Sequence, residues 1–279
     1  MNEVFIVEAR RTPFGSFGGA LSDISAPDLA SQVMRDLLHR SQLPATAIDE
    51  VIAGQVLQGG CGQAPARQAM RKAGLPDSVH AMTINKVCGS GLKAIMLAAD
   101  SIRLGDATCV IAGGMESMSL APYALPTLRT GQRMGHAQAL DLMVFDALQD
   151  PYSNRHMGEI TEIWVERHGL SREDQDLYAA RSYRLAQAAV AAGTFTDELT
   201  PVVKSSRKGD VTIDQDEEPG RGNVDKLSSL RPAFNKDGTI TAGNASTIND
   251  GAAFVLACSK QAMERHNLKP IARLVASAT

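Results

Sequence analysis

The sequence predicts an α/β protein built on one mostly parallel sheet, and three observations support that prediction. Strand-like and helix-like segments alternate between residues 4 and 112, which is typical of βαβ units. The 279 residues are 44% hydrophobic but only 4% aromatic, and they include 24 glycines. That composition suits closely packed α/β layers better than a β-sandwich. No apolar run approaches the ~18 residues of a membrane span, so we expect no membrane segment.

Short apolar runs predict the strands, which are Val4–Val7, Val51–Leu57, Met82–Ile84, Cys109–Ala112, Gly251–Cys258 and Ile271–Ala276. Apolar residues at helical spacing, with turn residues at their ends, predict the helices, which are Ala26–His39, Pro65–Ala73, Leu92–Leu104, Gly158–His168, Arg172–Ala192 and Ser259–His266. The last ten residues, Pro270–Thr279, resemble Glu3–Thr12 in pattern. This similarity predicts the start of an internal duplication.

The alternation stops between residues 115 and 249, which predicts an insertion. Prolines and scattered glycines over residues 117–155 predict irregular structure. Ser171 and Asp174 have the spacing of a capping box and predict a helix beginning directly after Ser171. The charged, turn-rich segment Lys204–Arg221 predicts a hairpin or a surface loop.

Charge and cysteine content narrow the function classes. The 28 basic and 31 acidic residues give a net charge of −3, so we expect neither nucleic acid nor anionic lipid as a partner. Four cysteines in a chain of this length do not form a disulfide framework. The sequence has no Cys-x-x-Cys or His-x-x-x-His pair, so no metal site is expected. The first residues lack the basic segment of a signal peptide, and the predicted location is the cytoplasm.

The motif Asn85–Leu92 (NKVCGSGL) carries the clearest chemistry. Cys88 follows a strand and opens a helix, where free backbone N–H groups and the helix dipole both favour the nucleophilic thiolate. Gly89 and Gly91 offer no side chain that would block a bulky electrophile such as a thioester. The alternative is a buried structural cysteine beside a tight helix–strand contact. The Gly-Ser-Gly sequence at a helix start favours the nucleophile.

The other candidate nucleophiles, Ser90 and the remaining cysteines, are weaker. A serine-hydrolase elbow around Ser90 would need glycine at Cys88 and Leu92, and neither is present. The remaining cysteines lie in a glycine-rich loop and in two apolar strands, where packing is the expected role; they are Cys61, Cys109 and Cys258.

Four collinear motifs that span the chain resemble those of thiolases. They are Glu8–Gly15 (EARRTPFG), Asn85–Gly91 (NKVCGSG), Gly113–Ser119 (GGMESMS) and Thr241–Ser246 (TAGNAS). The end of the insertion, Tyr152–Gly158 (YSNRHMG), resembles the biosynthetic acetyl-CoA acetyltransferase (acetoacetyl-CoA thiolase) branch of that family. Beta-ketoacyl synthases share the fold but lack the His-Met-Gly ending of the insertion, so they rank below thiolases.

The resemblance implies a fold of two βαβαβαββ halves in a five-layered sandwich, with a loop domain inserted in the first half. This chain would hold one three-layered αβα half, formed by residues 1–116 and 250–269. The loop domain would span residues 117–249. Residues 270–279 would be the first strand of a second half.

The resemblance also implies a reaction. Cys88 would attack acetyl-CoA to form an acetyl-enzyme, and a second acetyl-CoA would then give acetoacetyl-CoA; the reverse is thiolysis. Coenzyme A (CoA) enters as part of the substrate, so no separate cofactor is expected. The family's CoA contacts fall on Leu148, His156, Met157, Arg221, Phe234, Ala242 and Ser246. Core packing is an equally good interpretation of Leu148 and Phe234. The family's phosphate-side arginine falls within a residue or two of Arg221.

Three motifs of the family's second half do not occur in these residues. They are an Asn-Glu-Ala-Phe, a Gly-His-Pro and a Cys-x-Gly-Gly-Gly segment, which supply an oxyanion-hole water site, the base and the acid/base cysteine. His136 lies inside the insertion and cannot replace the histidine. We therefore expect this chain alone to be inactive, since one positioned acid or base contributes ~10²–10⁴-fold. The alternative function is a non-catalytic CoA-binding or oligomerisation module.

The resemblance finally predicts a homo-oligomer. Copies would pair through the sheet near Met82–Ile84, and residues 117–155 would build a tetramer of the full-length protein.

Overall fold

The fold is organised around one seven-stranded mixed sheet. The structure is a computed structural model that describes residues 2–206 and 209–279, with Ser206 described by its backbone alone. The strands are β1 Val4–Arg11, β2 Gly15–Ser16, β3 Glu50–Gly54, β4 His80–Ile84, β5 Cys109–Ser117, β6 Tyr123–Ala124, β7 Leu140–Asp141, β8 Val202–Ser206, β9 Gly209–Ile213, β10 Asn249–Ser259 and β11 Ala272–Arg273. The helices are α1 Ala26–Ser41, α2 Pro65–Lys72, α3 Ser90–Leu104, α4 Met157–His168, α5 Arg172–Ala191, α6 Glu218–Arg221 and α7 Lys260–Arg265.

The order of strands in the main sheet is β11-β1-β10-β5-β3-β4, and β2 pairs with the first two residues of β10. Strands β3, β4 and β5 are mutually parallel, as expected for strands joined by helical crossovers. Strand β10 runs antiparallel to both of its neighbours, β1 and β5. The sheet is therefore mixed, whereas the sequence pattern alone predicted a mostly parallel one.

Helices cover both faces of this sheet and give three layers. One core lies between the sheet and helices α1, α2 and α7, with Leu37, Met70 and Phe254 fully buried. The second core lies between the opposite face and α3, where Ala98 and Ile102 pack. Successive residues of each strand point to opposite faces, so one apolar strand supplies both cores. The expected three-layered αβα half is therefore observed.

The predicted helices all form, with ends within two residues of the predicted ones. The Ser171 capping box is present, because the Ser171 hydroxyl accepts from the Asp174 amide and the Asp174 carboxylate accepts from the Ser171 amide. The segment Lys204–Arg221, expected to be a hairpin or a surface loop, includes β9 and the end of β8, which pair antiparallel; β8 begins two residues earlier, at Val202, and residues 207 and 208 lie outside the described residues. The predicted strand Ile271–Ala276 is shorter than expected, because only Ala272 and Arg273 pair at the exposed edge beside β1.

Two consecutive arginines at the end of β1 attach residues 197–199 and 216 of the insertion to the sheet. Arg10 is 3% exposed; its guanidinium pairs with Asp36 at 2.7 Å and donates to two carbonyls of residues 197 and 199. Arg11 makes a bidentate pair with Asp216 at 2.7 and 2.9 Å. Bidentate, partly buried arginine–carboxylate pairs hold both partners in one geometry. The motif EARRT thus fixes the insertion against the first strand.

None of the helices in the described residues is sufficiently long and apolar to cross a membrane.

Candidate active site

Cys88 lies in a tight turn between β4 and α3. The Asn85 side chain accepts a hydrogen bond from the Val87 amide at 2.8 Å. The Ser90 hydroxyl accepts from the Lys86 amide at 2.7 Å and donates to the Val87 carbonyl at 2.6 Å. Two side chains that flank the cysteine therefore hold the backbone that carries it.

The residue before the cysteine has a strained backbone. Val87 has φ of 48°, in the left-handed region that a β-branched residue rarely adopts. Such a conformation persists only where surrounding contacts hold it, and it is common at functional sites. The hydrogen bonds of Asn85 and Ser90 supply those contacts. The turn presents Cys88 with its side chain exposed, directly before the Gly89 cap of α3.

Glycines allow the start of α3 to approach the sheet closely. A Cβ at Gly54 of β3 would lie 2.6 Å from the Gly91 nitrogen and 2.7 Å from the Ser90 Cβ. A Cβ at Gly91 would lie 3.4 Å from the Gly114 nitrogen of β5. The small residue at Gly91 therefore serves helix–sheet packing, and Gly91 also lines the cleft beside Cys88, where the sequence predicts that it leaves room for an electrophile. Close packing places the positive end of the α3 dipole beside the cysteine.

The cysteine opens onto an apolar cleft of about 490 Å³. Its apolar side chains come from several elements and include Phe14, Val56, Leu92, Ile95, Met115, Met118 and Leu148. Leu148, one of the predicted CoA contacts, thus lies in the same cleft as Cys88. Among the described residues no histidine lines this cleft, and Glu116 is the one carboxylate that does. An exposed thiol beside an apolar wall is an arrangement that can accept an acyl group on sulfur.

Glu116 is a cleft residue to which the sequence reasoning gave no role. Its carboxylate accepts from the Val56 amide at 2.8 Å and from the Leu57 amide at 3.1 Å. Burial raises the pKa of Glu116, the two amide hydrogen bonds lower it, and the nearby Asp250 charge raises it; the net direction is upward. Glu116 therefore fixes the loop after β3 that forms one wall of the cleft. Its place in the motif GGMESMS was the available signal.

The other cysteines occupy packed positions. Cys109 and Cys258 are buried and face each other across β5 and β10, with 3.5 Å between their sulfurs. The contact with the Cys109 sulfur, followed by burial, raises the pKa of Cys258 far above the ordinary value for a thiol. Cys61 is partly buried, and its sulfur lies 3.2 Å from the Gln55 amide nitrogen. Of the four thiols, Cys88 is the exposed one.

Two of the predicted CoA contacts stack on each other at the start of α4. The rings of His156 and Phe234 lie 4.9 Å apart at 25°. His156 is the N-cap, and its Nδ1 accepts from the Gly158 amide at 3.1 Å, which leaves the other ring nitrogen free to face a ligand. Met157 follows as an exposed residue. His156 and Phe234 therefore lie together at the helix N-terminus, and Met157 is the exposed first residue of α4.

The remaining predicted contacts lie elsewhere in the insertion. Ala242 and Ser246 are exposed, and Ser246 lines a cavity of about 330 Å³ against Tyr178 and Tyr183 of α5. Arg221 is exposed at the end of α6. The structure thus brings His156 and Phe234 into contact, with Met157 next to His156 in the chain, and places the other predicted contacts elsewhere.

Within residues 2–206 and 209–279, no group of three or more His, Cys, Asp or Glu side chains is placed to hold a metal ion.

Fold and site together define a three-layered α/β protein that presents one exposed cysteine at a helix start, beside an apolar cleft. Residues 4–261 match the family description "Thiolase, N-terminal domain". The chain is 52% identical to an acetyl-CoA acetyltransferase of Pseudomonas aeruginosa over all of this chain and 72% of that protein. It is 48% identical to a probable acetyl-CoA acetyltransferase of Escherichia coli, over all of this chain and 71% of that protein.

A solved structure gives the same result. The crystal structure of the Bacillus anthracis acetyl-CoA acetyltransferase superimposes with a TM-score of 0.94 at 41% identity. The match covers 98% of this chain and 69% of that one. The chain therefore belongs to the thiolase family, and it corresponds to about 70% of the length of these relatives.

Proposed function

We propose that these residues carry the acyl-accepting part of an acetyl-CoA C-acetyltransferase, with Cys88 as the nucleophile. The observation that carries this proposal is the exposed Cys88 thiol at the start of α3, on a strained turn and beside an apolar cleft. Membership of the thiolase family and the similarity to acetyl-CoA acetyltransferases support it.

In the first half-reaction the Cys88 sulfur attacks the thioester carbonyl of acetyl-CoA. A new sulfur–acetyl bond forms, the bond between the acetyl group and the CoA sulfur breaks, and CoA leaves as the thiol after taking a proton. The dipole of α3 stabilises the attacking thiolate, and its first-turn amides have no acceptor within the helix. In the second half-reaction a base removes a proton from the methyl group of a second acetyl-CoA, and this carbon attacks the carbonyl of the acetyl group on Cys88. A carbon–carbon bond forms, the bond between the acetyl group and the Cys88 sulfur breaks, and acetoacetyl-CoA leaves; thiolysis reverses the sequence.

The second half-reaction requires a base that removes a proton from the second acetyl-CoA. Among the described residues no histidine lines the Cys88 cleft. A positioned base contributes ~10²–10⁴-fold, so we propose that these 279 residues alone become acetylated but do not turn over.

For the CoA moiety we propose Leu148, His156, Met157, Arg221, Phe234, Ala242 and Ser246 as contacts. The stacked rings of His156 and Phe234 offer an apolar and polarisable surface, and the Ser246 hydroxyl is exposed for a hydrogen bond. A CoA molecule is long enough to contact several separate surfaces. This suits the spread of the seven residues over the insertion and the Cys88 cleft.

The experiment is an incubation of the chain with acetyl-CoA, followed by intact-mass measurement and peptide mapping. We expect one acetyl group on Cys88 and none on the matched variant Cys88→Ser. Steady thiolysis of acetoacetyl-CoA by the same chain should be undetectable. Acetylation of another residue would refute the role of Cys88, and measurable turnover would refute the requirement for a further base.

The competing function is a module that binds CoA without reacting. We keep this binding module as the second candidate because, among the described residues, no histidine lines the Cys88 cleft. Calorimetric titration would then show CoA binding while the mass experiment shows no acetyl group on Cys88.

We also propose that residues 1–116 with 250–269 form one folding unit and residues 117–249 an inserted one. The two buried cores of the sheet support the first unit, and α4, α5 and the β8–β9 hairpin lie within the second.

Assembly into homo-oligomers is a further part of this proposal. Strand β4 lies at an edge of the sheet, where Met82 is 42% exposed and unpaired backbone groups can join a second copy. We propose pairing at β4, and a tetramer for the longer protein through residues 117–155. A monodisperse monomer in light scattering at micromolar concentration would refute pairing of this chain.

A further inference from the structure

The segment 239–246 forms a turn whose side chains are divided between the interior and the surface. Thr241 is fully buried, and its hydroxyl accepts from the Gly243 amide at 3.2 Å. Ala242 and Ser246 are exposed, and Ser246 lines the cavity against α5. The position of these two proposed CoA contacts is therefore set by the backbone of the turn.

The Asn244 side chain holds this turn from inside. Its amide oxygen accepts from the Thr241 amide at 2.7 Å, and its amide nitrogen donates to the Thr239 carbonyl at 3.1 Å. The same nitrogen donates to the Asp176 carboxylate of α5 at 2.9 Å. Both hydrogens and one acceptor site of the amide are thus used, which fixes the side chain in one orientation.

Asp176 is a rigid anchor for that contact. The carboxylate is largely buried and also accepts from the Arg172 guanidinium at 2.8 Å, one turn earlier on α5. Arg172 in turn donates to the Leu227 carbonyl at 2.7 Å and the Leu230 carbonyl at 2.9 Å. A charged acceptor held by an arginine gives a stronger hydrogen bond than a neutral one.

A second helix holds the beginning of the turn. The Glu162 carboxylate of α4 accepts from the Thr239 amide at 2.9 Å and from the Ile240 amide at 2.8 Å. Helix α4 also carries His156 at its N-cap. The turn is therefore tied to the helix of the stacked rings by Glu162 and to α5 by Asn244 and Asp176.

We propose that Asn244 is a positioning residue for acyl-CoA, which fixes the 239–246 turn on Asp176 so that Ala242 and Ser246 can meet the CoA moiety. The inference rests on the proposed function, because it assumes that these two residues contact CoA. It assigns Asn244 no contact with the reacting atoms.

The experiment is a calorimetric titration of CoA into the unmutated chain and the variant Asn244→Ala. We expect about tenfold weaker CoA binding for N244A, because the variant loses the Asn244 hydrogen bonds that hold the turn. The matched control is Asn223→Ala, since the Asn223 oxygen accepts from the Asp225 amide at 3.2 Å, outside the turn. Its CoA affinity should stay unchanged.

Three further variants separate positioning from a general loss of structure. If Asn244 acts through the turn, N244A combined with Ser246→Ala should lose clearly less affinity than the product of the two single losses. Asn244→Asp places two carboxylates at the 2.9 Å contact and should bind CoA more weakly than N244A. The double variant Asn244→Asp with Asp176→Asn reverses the contact, so that the amide at position 176 donates to the carboxylate at position 244. This variant should recover part of the CoA affinity.

The possible failures can be told apart. If the unmutated chain binds no CoA at millimolar concentration, both the proposed function and this inference are refuted. If it binds and N244A binds equally well, only the inference is refuted. A fully multiplicative loss in the double variant, or no recovery in the swapped pair, would also refute positioning through the turn.

Discussion

The contact between Gly54 of β3 and the start of α3 allows a quantitative prediction. In Gly54→Ala the new Cβ would lie 2.6 Å from the Gly91 nitrogen and 2.7 Å from the Ser90 Cβ. Carbon atoms in favourable contact are about 3.5–4.0 Å apart, so the strand and the helix must separate by roughly 1 Å. The contact involves backbone on both sides, and neither side can turn away as a flexible side chain could.

The expected cost follows from that overlap. Enlarging a residue in a packed interior lowers the unfolding free energy by typically about 1–3 kcal/mol. Because backbone atoms meet on both sides of this contact, we expect the loss for Gly54→Ala to be near 3 kcal/mol. For a chain of this size the loss corresponds to a fall of about 5–10 °C in the unfolding temperature. The assay is urea and thermal unfolding followed by circular dichroism.

Gly220→Ala is the matched control, because a Cβ at Gly220 would meet nothing within 4 Å. Its unfolding temperature should stay the same or rise slightly, since alanine loses less backbone freedom than glycine on folding. Acetylation of Cys88 should be slower in G54A than in the control, because moving Ser90 breaks the hydrogen bonds that hold Val87. A G54A chain as stable as G220A would refute the close-packing argument.

Three further predictions concern the site. Limiting iodoacetamide near neutral pH should label the exposed Cys88 before Cys61 and the two buried cysteines, and acetyl-CoA should slow that labelling; peptide mapping with Cys61 labelled first would contradict it. Burial raises the pKa of Glu116 in the folded chain above its value in the unfolded chain, which is about 4.3. The folded state is therefore favoured less as the pH rises from the unfolded-state pKa to the folded-state pKa, and the unfolding free energy falls over that range. Urea titrations should therefore show the unmutated chain losing stability relative to Glu116→Gln from about pH 4 upward, and a pH-independent difference would refute this. His156→Ala removes the ring stacked on Phe234 and should weaken CoA binding several-fold in calorimetry, whereas unchanged affinity would remove His156 from the CoA site.

The fold was predictable wherever burial leaves a local pattern in the sequence. Helix α3 has apolar residues at helical spacing because one face packs on the sheet, and its predicted end at Leu104 agrees with the structure. The antiparallel direction of β10 was not predictable, since strand direction leaves no mark on side-chain alternation. The edge strand β11 is exposed on both sides, so no burial pattern fixes its length.

The candidate site was also predictable only in part. Cys88 could be located because strand, cysteine and glycine-flanked helix start are consecutive in sequence. The packing role of Gly91 was not predictable, because its neighbour Gly114 lies on a strand that is distant in the sequence. Asn244 was overlooked because its charged partner, Asp176, is 68 residues away and sits on α5. Local motifs reveal the nucleophile, whereas the contacts that orient the rest of the site depend on the folded chain.

The position of β10 has a consequence for synthesis on the ribosome. This strand lies in the interior of the sheet between β1 and β5, yet it begins at residue 249. Until it has emerged, β1 has no partner on that side, and the apolar face of α1 has only part of its sheet to pack on. The long insertion therefore leaves the ribosome while the first core is still open, which is the interval in which exposed strand edges are most prone to wrong association. A nascent chain of this protein joins β1 to the rest of its central sheet only after residues 249–259 have emerged.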